Sequence, residues 1–410
     1  MKTYKILSLD GGGSWSILQL LTLEERYKEE IPKLNGHAIL KQFDMVIANS
    51  GGSLVLAALV ADWTIEDALD LFKDTQTIKR IFARNSFKET FWPVTLSRPL
   101  FSIGPKYSTS KKMDAFKDLF KCIHNITMDK LPKHVGNHDL KLIICTFDAL
   151  NNRTKFFRSY LNNGNKQEFI TLTQAIHGSS NAPVQYFDFP AEINHEGYKY
   201  YLWDGALGGF NNPVVAGVIE AFRSGVDKET ISIVSIGTGN VLMSQKEKDN
   251  FREVFSIALK EKDKKFWFWR YKYQFQYFIK TIMNQAKTIL FQPPDWANYV
   301  AFMFLLKSIG EEEKVESKFV RLSPLIYYEN NRTDKKIREL VDKLSTMDMD
   351  LIKAEDIDAV KNCFRMWKEG KIKNQPIDFT IERDYKIICK IGDISFKEGI
   401  LKWKKLDKTD

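Results

Sequence analysis

Two short apolar runs, each followed by a run of small residues, constrain this chain most. Residues 6–9 lead directly into the Asp-Gly-Gly-Gly run at 10–13, and residues 43–47 lead into the Ala-Asn-Ser-Gly-Gly run at 48–52. Short apolar runs bounded by turn residues are typical of buried strands. Three consecutive glycines let the backbone approach another group closely, because no side chain stands in the way. We therefore predict two buried strands that end in a close-approach loop and in a sharp turn.

The second turn has the features of a nucleophile elbow, in which a serine between strand and helix adopts a strained backbone. The positions two before and two after the serine must then be small, and Ala48 and Gly52 meet that condition. Residues 53–61 are apolar and rich in alanine, which predicts a helix whose positive end lies near Ser50. Such a pentapeptide is by itself more often a plain turn. Ser50 is a candidate nucleophile only if the chain also supplies a base.

The histidines do not supply an obvious base. The chain has six of them, and none lies in a motif that marks the histidine of a Ser-His-Asp triad. An aromatic and aliphatic run at 201–203 instead ends in Asp204 and Gly205, which predicts a carboxylate at the end of a strand. Asp-Gly is also a common turn dipeptide, so a turn would explain Asp204 if it stood alone.

Taken in order, these motifs resemble those of the patatin-like phospholipases, lipid acyl hydrolases that use a Ser-Asp dyad. The likeness covers most of the chain, through the oxyanion loop (9–13), the elbow (49–52), the Ser-Ser-Ala-Ala-Pro segment (175–183, then 186–187), the Asp-Gly pair (204–205) and a later strand end (235–239), and more weakly through 293–295 and 321–324.

The resemblance implies a mechanism by role. Ser50 would attack an ester carbonyl of a phospholipid or other acyl lipid, and Asp204 would act as base and then as acid. Backbone N–H groups of Gly11, Gly12 and Gly13 would form the oxyanion hole. No metal or organic cofactor is implied, and the sequence has no histidine cluster or cysteine pairs with ligand spacing.

Two departures from the family pattern stand out. Ala48 replaces the usual glycine, a difference of one methyl group. After the glycines the family usually carries Arg or Lys and then Gly, whereas this chain has Ser14-Trp15-Ser16. The second departure leaves open how the loop is braced. A nucleotide-binding loop is disfavoured, because neither the Gly-x-Gly-x-x-Gly spacing nor a Gly-Lys-Ser/Thr ending is present.

The alternation of apolar runs with helix-like stretches predicts an α/β fold, with a mainly parallel central sheet sandwiched by helices. At 410 residues with 44% hydrophobic residues, the chain can bury one large core or a core with a subdomain. We expect a patatin-like body over 1–330 and a charged helical and short-strand extension over 331–410, packed on that body. The predicted strands lie at 6–9, 43–47, 140–147, 198–203 and 231–236, the predicted helices at 18–30, 53–72 and 213–224, and short edge strands at 377–403.

Several features bear on location and partners. Four cysteines without paired spacing and an N-terminal apolar run too short for a signal peptide predict a cytoplasmic protein. No apolar run reaches the roughly 20 residues needed to cross a bilayer. The segment 264–280 mixes cations with rings, including Trp267 and Trp269, which suits transient contact with the inner membrane surface as well as a helix packed on the body. The net charge of +9 permits nucleic-acid binding but does not require it, and we expect none.

Two alternatives of a different class stay open. One is a catalytically idle patatin-like module that binds lipid or protein, which the changes at Ala48 and Trp15 make conceivable. The other is a phospholipase effector that needs a small molecule or a protein activator, as some bacterial members of the family do. Nothing in the sequence identifies an activator, an oligomeric state, or the preferred head group and acyl position.

Overall fold

The structure is a computed structural model. It describes residues 3–84, 105–160, 170–183, 186–195, 197–242, 252, 256, 294–306, 310–328, 333–350, 353–382 and 386–408. The aromatic and basic segment 264–280, with Trp267 and Trp269, lies outside the described residues.

Strands and helices alternate along the first half of the chain. The strands of the described residues are β1 (Tyr4–Leu9), β2 (Met45–Asn49), β3 (Lys141–Asp148), β4 (Arg153–Arg158), β5 (Ala191–His195), β6 (Tyr198–Asp204), β7 (Ile231–Ile236), β8 (Asn240–Val241), β9 (Phe319–Leu322), β10 (Leu325–Ile326), β11 (Asp378–Ile381) and β12 (Ile387–Ile391). The helices are α1 (Ile17–Tyr27), α2 (Gly36–Leu40), α3 (Gly51–Val60), α4 (Ile65–Lys73), α5 (Thr75–Ile81), α6 (Thr109–Leu119), α7 (Leu131–Val135), α8 (Leu172–Ser179), α9 (Val214–Arg223), α10 (Pro294–Leu305), α11 (Glu312–Glu316), α12 (Lys335–Ser345), α13 (Ala354–Lys368) and α14 (Phe396–Asp407).

The central sheet has eight strands and is mainly parallel. Its middle runs in the order β3-β2-β1-β7-β9, and every neighbouring pair in that set is parallel. At one end β6 and β5 continue the sheet antiparallel, and β4 also pairs antiparallel with β3. The predicted fold class is confirmed, and the five predicted strands correspond to β1, β2, β3, β6 and β7.

Helices cover both faces of the sheet, as the alternation of side chains in the strands requires. Leu7 of β1 belongs to a large core that includes Val55 of α3. Ile6, the neighbouring residue, belongs to a second core that includes Val218 of α9 and Phe302 of α10. A parallel sheet buried on both sides explains why the sequence shows continuous apolar runs here instead of alternation with polar residues.

Pairing along β3 brings the ends of β2 and β6 together. β2 ends with Asn49 opposite Cys145, and β6 ends with Asp204 opposite the next residue, Thr146. β4 occupies the other edge of β3. β2 and β6 therefore approach along the same edge from opposite directions, and Ser50 and Asp204 lie where they meet.

Two predicted elements differ from the structure. The single helix expected over 53–72 is two helices, α3 and α4, because Asp62 adopts a positive φ of 57° and Thr64 starts α4 with a capping box to Asp67. The strands expected over 377–403 are found only as β11 and β12, which form a separate two-stranded sheet. The remainder is α14, which begins at a capping box between Ser395 and Glu398.

The C-terminal helices pack against the first helix of the chain. Trp403 of α14 is buried with its ring edge against Tyr27 of α1, at a centroid distance of 5.5 Å. Arg26 of α1 forms an ion pair with Asp407 at the end of α14. In the part of the chain that the structure describes, no helix combines the length and the apolar character needed to cross a bilayer.

Candidate active site

Ser50 lies in a strained turn between β2 and α3. Its backbone has φ 48° and ψ −118°, a conformation that a residue with a side chain rarely adopts. Two serines hold the turn: the Ser50 N–H group donates to Ser179 Oγ at 2.9 Å, and Ser53 Oγ donates to the Ser50 carbonyl at 2.6 Å. The Ser50 side chain sits at the N-terminal end of α3 and lines a pocket, with 6% of the residue exposed.

The glycine run at 11–13 passes directly beside this turn. A Cβ atom on Gly51 would lie 2.3 Å from the Gly13 carbonyl oxygen, and one on Gly52 would lie 2.5 Å from the Leu9 carbonyl oxygen. Gly13 itself has φ 57°, and a side chain there would also meet Met349. The glycines on both sides are therefore needed for two backbones to touch.

The three glycine N–H groups are not equivalent. The Gly11 N–H group already donates to the Asn211 carbonyl at 2.7 Å, and the Gly11 carbonyl accepts from Thr238 Oγ1 at 2.6 Å. For the N–H groups of Gly12 and Gly13, no protein acceptor is found among the described residues. Gly13 also lines the pocket that contains Ser50. Two N–H donors of the loop thus lack an acceptor within the described ranges.

Asp204 is buried beside Ser50 at the end of β6, with 3% of the residue exposed. Its carboxylate accepts hydrogen bonds from Asn49 Nδ2 at 2.9 Å and from the Ala206 N–H group at 2.9 Å, and the Ser50 side chain is a third hydrogen-bonding neighbour. Burial raises the pKa of Asp204, and the three hydrogen bonds and the charge of Lys112 act in the opposite direction. The two residues predicted to form a dyad are brought together.

Asn49 and Ser179 link the two sides of the pair. Ser179 Oγ donates to Asn49 Oδ1 at 3.4 Å, and Asn49 Nδ2 donates to Asp204. The same Ser179 oxygen accepts from the Ser50 N–H group. A buried network therefore fixes both the turn and the carboxylate.

A buried ion pair lies under the glycine loop. Arg321 of β9 donates to Asp10 Oδ2 at 2.7 Å and to Ser235 Oγ at 2.8 Å, and both members of the pair are almost completely buried. Burial raises the pKa of Asp10 to about 6, although the charge and hydrogen bond of Arg321 lower it. Asp10 directly precedes Gly11, so the guanidinium braces the loop from its first residue.

The segment between α12 and α13 holds the other end of the loop. The Ser14 N–H group donates to the Met349 carbonyl at 2.9 Å, and Trp15 Nε1 donates to the Asp348 carbonyl at 3.1 Å. Lys106 pairs with Asp348 at 2.6 Å. Trp15, which stands where the family usually has a basic residue, therefore ties the loop to the C-terminal part of the chain.

The pocket at Ser50 is mostly apolar. It is lined by aromatic and aliphatic side chains and by one lysine: Leu54, Ile81, Phe82, Lys112, Phe116, Ala182, Tyr186, Phe187 and Met349. Leu54, Ile81 and Phe82 also line a second, adjoining pocket that is almost entirely apolar. Within the described ranges, no three His, Cys, Asp or Glu side chains lie close enough together to hold a metal ion.

The sequence missed several residues of this site. Asn49, Asn211 and Arg321 lay within or near quoted motifs, but only the structure gives them partners. Lys112 had no sequence signal, because a lysine in a helix with a net excess of lysines looks solvent-exposed. Met349 lies far from every motif and reaches the pocket only through tertiary packing.

Comparisons with known proteins agree with these motifs. The profile of the family described as "Patatin-like phospholipase" matches residues 7–218, just over half of the chain. "Patatin-like phospholipase 1" of Plasmodium falciparum (isolate NF54) is 38% identical over 87 residues, which are 20% of this chain and 12% of that protein. The aligned part thus spans only a small fraction of that relative.

Two solved structures are distant neighbours. VipD from Legionella pneumophila aligns with a TM-score of 0.34 and 11% identity, over 89% of this chain and 67% of its own. The type III effector protein ExoU aligns with a TM-score of 0.26 and 10% identity, over 88% and 69% respectively. Because the family profile matches more than half of its residues, this chain belongs to the patatin-like phospholipase family.

Proposed function

We propose that this protein is a lipid acyl hydrolase of the phospholipase A or lysophospholipase type, which cleaves carboxylic esters of membrane lipids through an acyl-Ser50 intermediate. The observation that carries the proposal is the position of the Ser50 side chain within hydrogen-bonding reach of the buried Asp204 carboxylate, beside a mostly apolar pocket. Membership of the family supports the same reaction class.

In the first half of the reaction, Asp204 accepts the hydroxyl proton while Ser50 Oγ bonds to the ester carbonyl carbon. The carbonyl π electrons move to oxygen and form a tetrahedral oxyanion. When this collapses, the bond to the leaving alcohol breaks, and the alcohol takes the proton from Asp204. In the second half Asp204 deprotonates water, which attacks the acyl-Ser50 ester, and Ser50 regains its proton as the fatty acid leaves.

Burial helps Asp204 in the base role, because a carboxylate with a raised pKa binds a proton more readily than one on the surface. The donors from Asn49 and Ala206 keep the carboxylate aimed at Ser50. Burial raises the pKa of Asp204 and its hydrogen bonds lower it, and this balance suits a carboxylate that must accept a proton and then return it.

For the oxyanion hole we assign the N–H groups of Gly12 and Gly13, which have no protein acceptor in the described part of the chain. Gly11 was included in the expectation from the sequence, but its N–H group donates to Asn211. We assign Gly11 the close backbone approach to Ser50. Loss of one oxyanion donor typically lowers the rate about 100- to 1000-fold.

The division into a body (1–330) and a packed extension (331–410) is also a proposal. The contacts of Met349 and Asp348 with the glycine loop and the burial of Trp403 against α1 support it. If the extension completes the site, a chain that ends at residue 330 will lose Ser50 reactivity.

The low exposure of Ser50 favours a second candidate, an enzyme that is gated. With 6% of the residue exposed, Ser50 presents little surface to a lipid ester, and movement of a pocket wall would increase its access. Contact with a membrane, a small molecule or a partner protein would supply that opening. Such gating would appear as low activity on monomeric substrates and a rise on vesicles or with an activator.

The main experiment measures fatty-acid release from mixed phospholipid vesicles by mass spectrometry. Wild type is compared with Ser50→Ala, with Asp204→Asn and with Ser317→Ala, whose hydroxyl is exposed and outside the pocket. We expect release only from wild type and the control. Equal release by wild type and Asp204→Asn would refute the dyad.

A fluorophosphonate probe separates the idle-module alternative from the enzyme. Labelling of wild type and Ser317→Ala, but not of Ser50→Ala, would eliminate the idle module. Absence of labelling under all conditions, including vesicles, would instead support it.

Membrane contact through the segment 264–280 remains a prediction. Substituting Trp267 and Trp269 together by alanine should weaken binding to anionic liposomes, because interfacial rings would be lost. Unchanged sedimentation with liposomes would remove this role.

A further inference from the structure

Lys112 is a buried cation near the site that the proposed reaction does not use. It lies on α6 with 0% of the residue exposed, although lysine is almost never fully buried without a charged partner. Its Nζ donates to the His177 carbonyl at 3.0 Å, to Asn181 Oδ1 at 2.9 Å and to Ser180 Oγ at 3.4 Å. All three acceptors are uncharged. A charge this deep in the protein is expensive to keep, so its position calls for an explanation.

An aromatic ring completes the surroundings of the ammonium group. Nζ lies 4.1 Å from the centroid of the Phe187 ring, within the range of a cation–π interaction. Lys112 and Phe187 both line the pocket that contains Ser50. The ammonium is therefore held in one place, next to the substrate space.

The acceptors of Lys112 belong to the segment that contacts the dyad. Within residues 177–181, Ser179 Oγ accepts from the Ser50 N–H group, and the Asn181 carbonyl accepts from the Asp204 N–H group at 3.1 Å. Lys112 binds the residues on either side of Ser179. One side chain thus fixes a segment that holds both the nucleophile turn and the end of β6.

The charges around Lys112 also point to Asp204. Burial lowers the pKa of Lys112 well below its ordinary value, and the carboxylates of Asp204 and Asp188 act in the opposite direction by favouring the charged form. The other ionisable neighbours stay neutral: burial and nearby lysines lower the pKa of His177, and burial raises that of Cys145 beside Asp204. In a dry interior, one positive charge acts strongly on a nearby carboxylate.

We propose that Lys112 is a positioning residue, which fixes residues 177–181 beneath the Ser50 and Asp204 pair and places a positive charge beside that carboxylate. The inference rests on the proposed function of the pair. Lys112 touches neither the reacting ester nor the transferred proton. It acts through Asn181, Ser179 and its electric field.

The test compares Lys112→Met, Lys112→Gln and the matched control Lys117→Met, an exposed lysine on the same helix. Lys112→Met removes the charge and all three donors, whereas Lys112→Gln removes the charge but keeps two N–H donors on a side chain that is one atom shorter and carries an added acceptor oxygen. The readout is kcat/KM for ester hydrolysis between pH 4 and 9, whose acidic limb reports protonation of the base.

Without the lysine charge, the pKa of Asp204 rises, so both Lys112 variants should move the acidic limb to higher pH. We expect a shift of about one pH unit, which corresponds to a tenfold change in proton affinity. Lys117→Met should keep the wild-type limb. If the acidic limb of the kcat/KM profile lies at the wild-type pH in Lys112→Gln, the electrostatic part of the inference is overturned, even if kcat/KM is lower at every pH.

A second measurement does not depend on catalysis. The effect of Lys112→Met on urea unfolding at pH 8 is measured twice, once in the wild-type background and once in the Asp204→Asn background. If the two side chains are coupled, the substitution lowers the midpoint more when the carboxylate is present. Equal changes in both backgrounds would overturn the coupling. If the wild type hydrolyses no ester but the urea midpoints still show this coupling, the result contradicts the proposed function and leaves the coupling of Lys112 with Asp204 supported.

Discussion

Substitution of Arg321 by methionine should destabilise the protein in a pH-dependent way. The guanidinium is the charged partner of Asp10 at 2.7 Å, and both groups are almost completely buried. Removing one member of a buried ion pair typically costs about 3–5 kcal/mol, because the other charge is left without compensation. Methionine retains the packing of the unbranched stem of arginine but not that of the guanidinium group.

The pH dependence follows from the pKa of Asp10, which burial raises from 3.8 to about 6 in the folded chain. Between these values the native state binds more protons than the unfolded state, so the free energy of unfolding falls as pH rises. Between pH 3.8 and about 6, the free energy of unfolding of the wild type therefore falls by about 3 kcal/mol, at 1.36 kcal/mol per pKa unit. Without Arg321 the pKa of Asp10 rises further, and the fall continues to higher pH. Arg321→Met should therefore lose more stability at pH 8 than at pH 5.

Urea unfolding followed by circular dichroism at pH 5 and pH 8 measures this difference, once refolding has been shown to be reversible. The double variant Asp10→Asn with Arg321→Met removes both charges and should be more stable at pH 8 than Arg321→Met alone. Lys371→Met, which removes an exposed ion pair with Glu369, serves as the control. Equal destabilisation by Arg321→Met at the two pH values would refute the reasoning.

Three further predictions concern the turn and the loop. Gly52→Ala should abolish fluorophosphonate labelling of Ser50, because the added Cβ would lie 2.5 Å from the Leu9 carbonyl oxygen, and labelling at the wild-type rate would contradict the packing described. Ser179→Ala removes the acceptor of the Ser50 N–H group and should lower kcat about tenfold with little change in KM, as steady-state kinetics on a soluble ester would show. Trp15→Phe loses the hydrogen bond to Asp348 and should lower the free energy of unfolding by about 1 kcal/mol, whereas an unchanged urea midpoint would mean that the tie contributes nothing.

The sequence was a good guide where local pattern and spatial position coincide. The central strands read as apolar runs because they are buried on both faces, and the Ser50 turn could be located because its strain demands small neighbours. Asp204 could be predicted as a candidate because it ends a strand, and strand ends carry functional groups in this class of fold.

Contacts between residues far apart in the sequence could not be predicted from local pattern. Nothing near Asp10 indicates that its partner is Arg321, and nothing near Trp15 indicates a tie to Asp348. Lys112 was overlooked because local pattern places a lysine in water, whereas three oxygens from α8 and the following turn receive it in the interior. The break in the predicted helix over 53–72 was missed although Thr64 and Asp67 have the spacing of a capping box in the sequence.

The shared edge of β3 has a consequence for how this chain tolerates change. Asn49, which directly precedes Ser50, and Asp204 pair with consecutive positions of one strand, so the length of polypeptide between Ser50 and Asp204 does not set their separation. Insertions or deletions in the connections should leave the distance between the two oxygens intact. A single-residue slip of β6 along β3, in contrast, would turn the carboxylate to the opposite face of the sheet and separate it from Ser50 without any change of sequence at either residue.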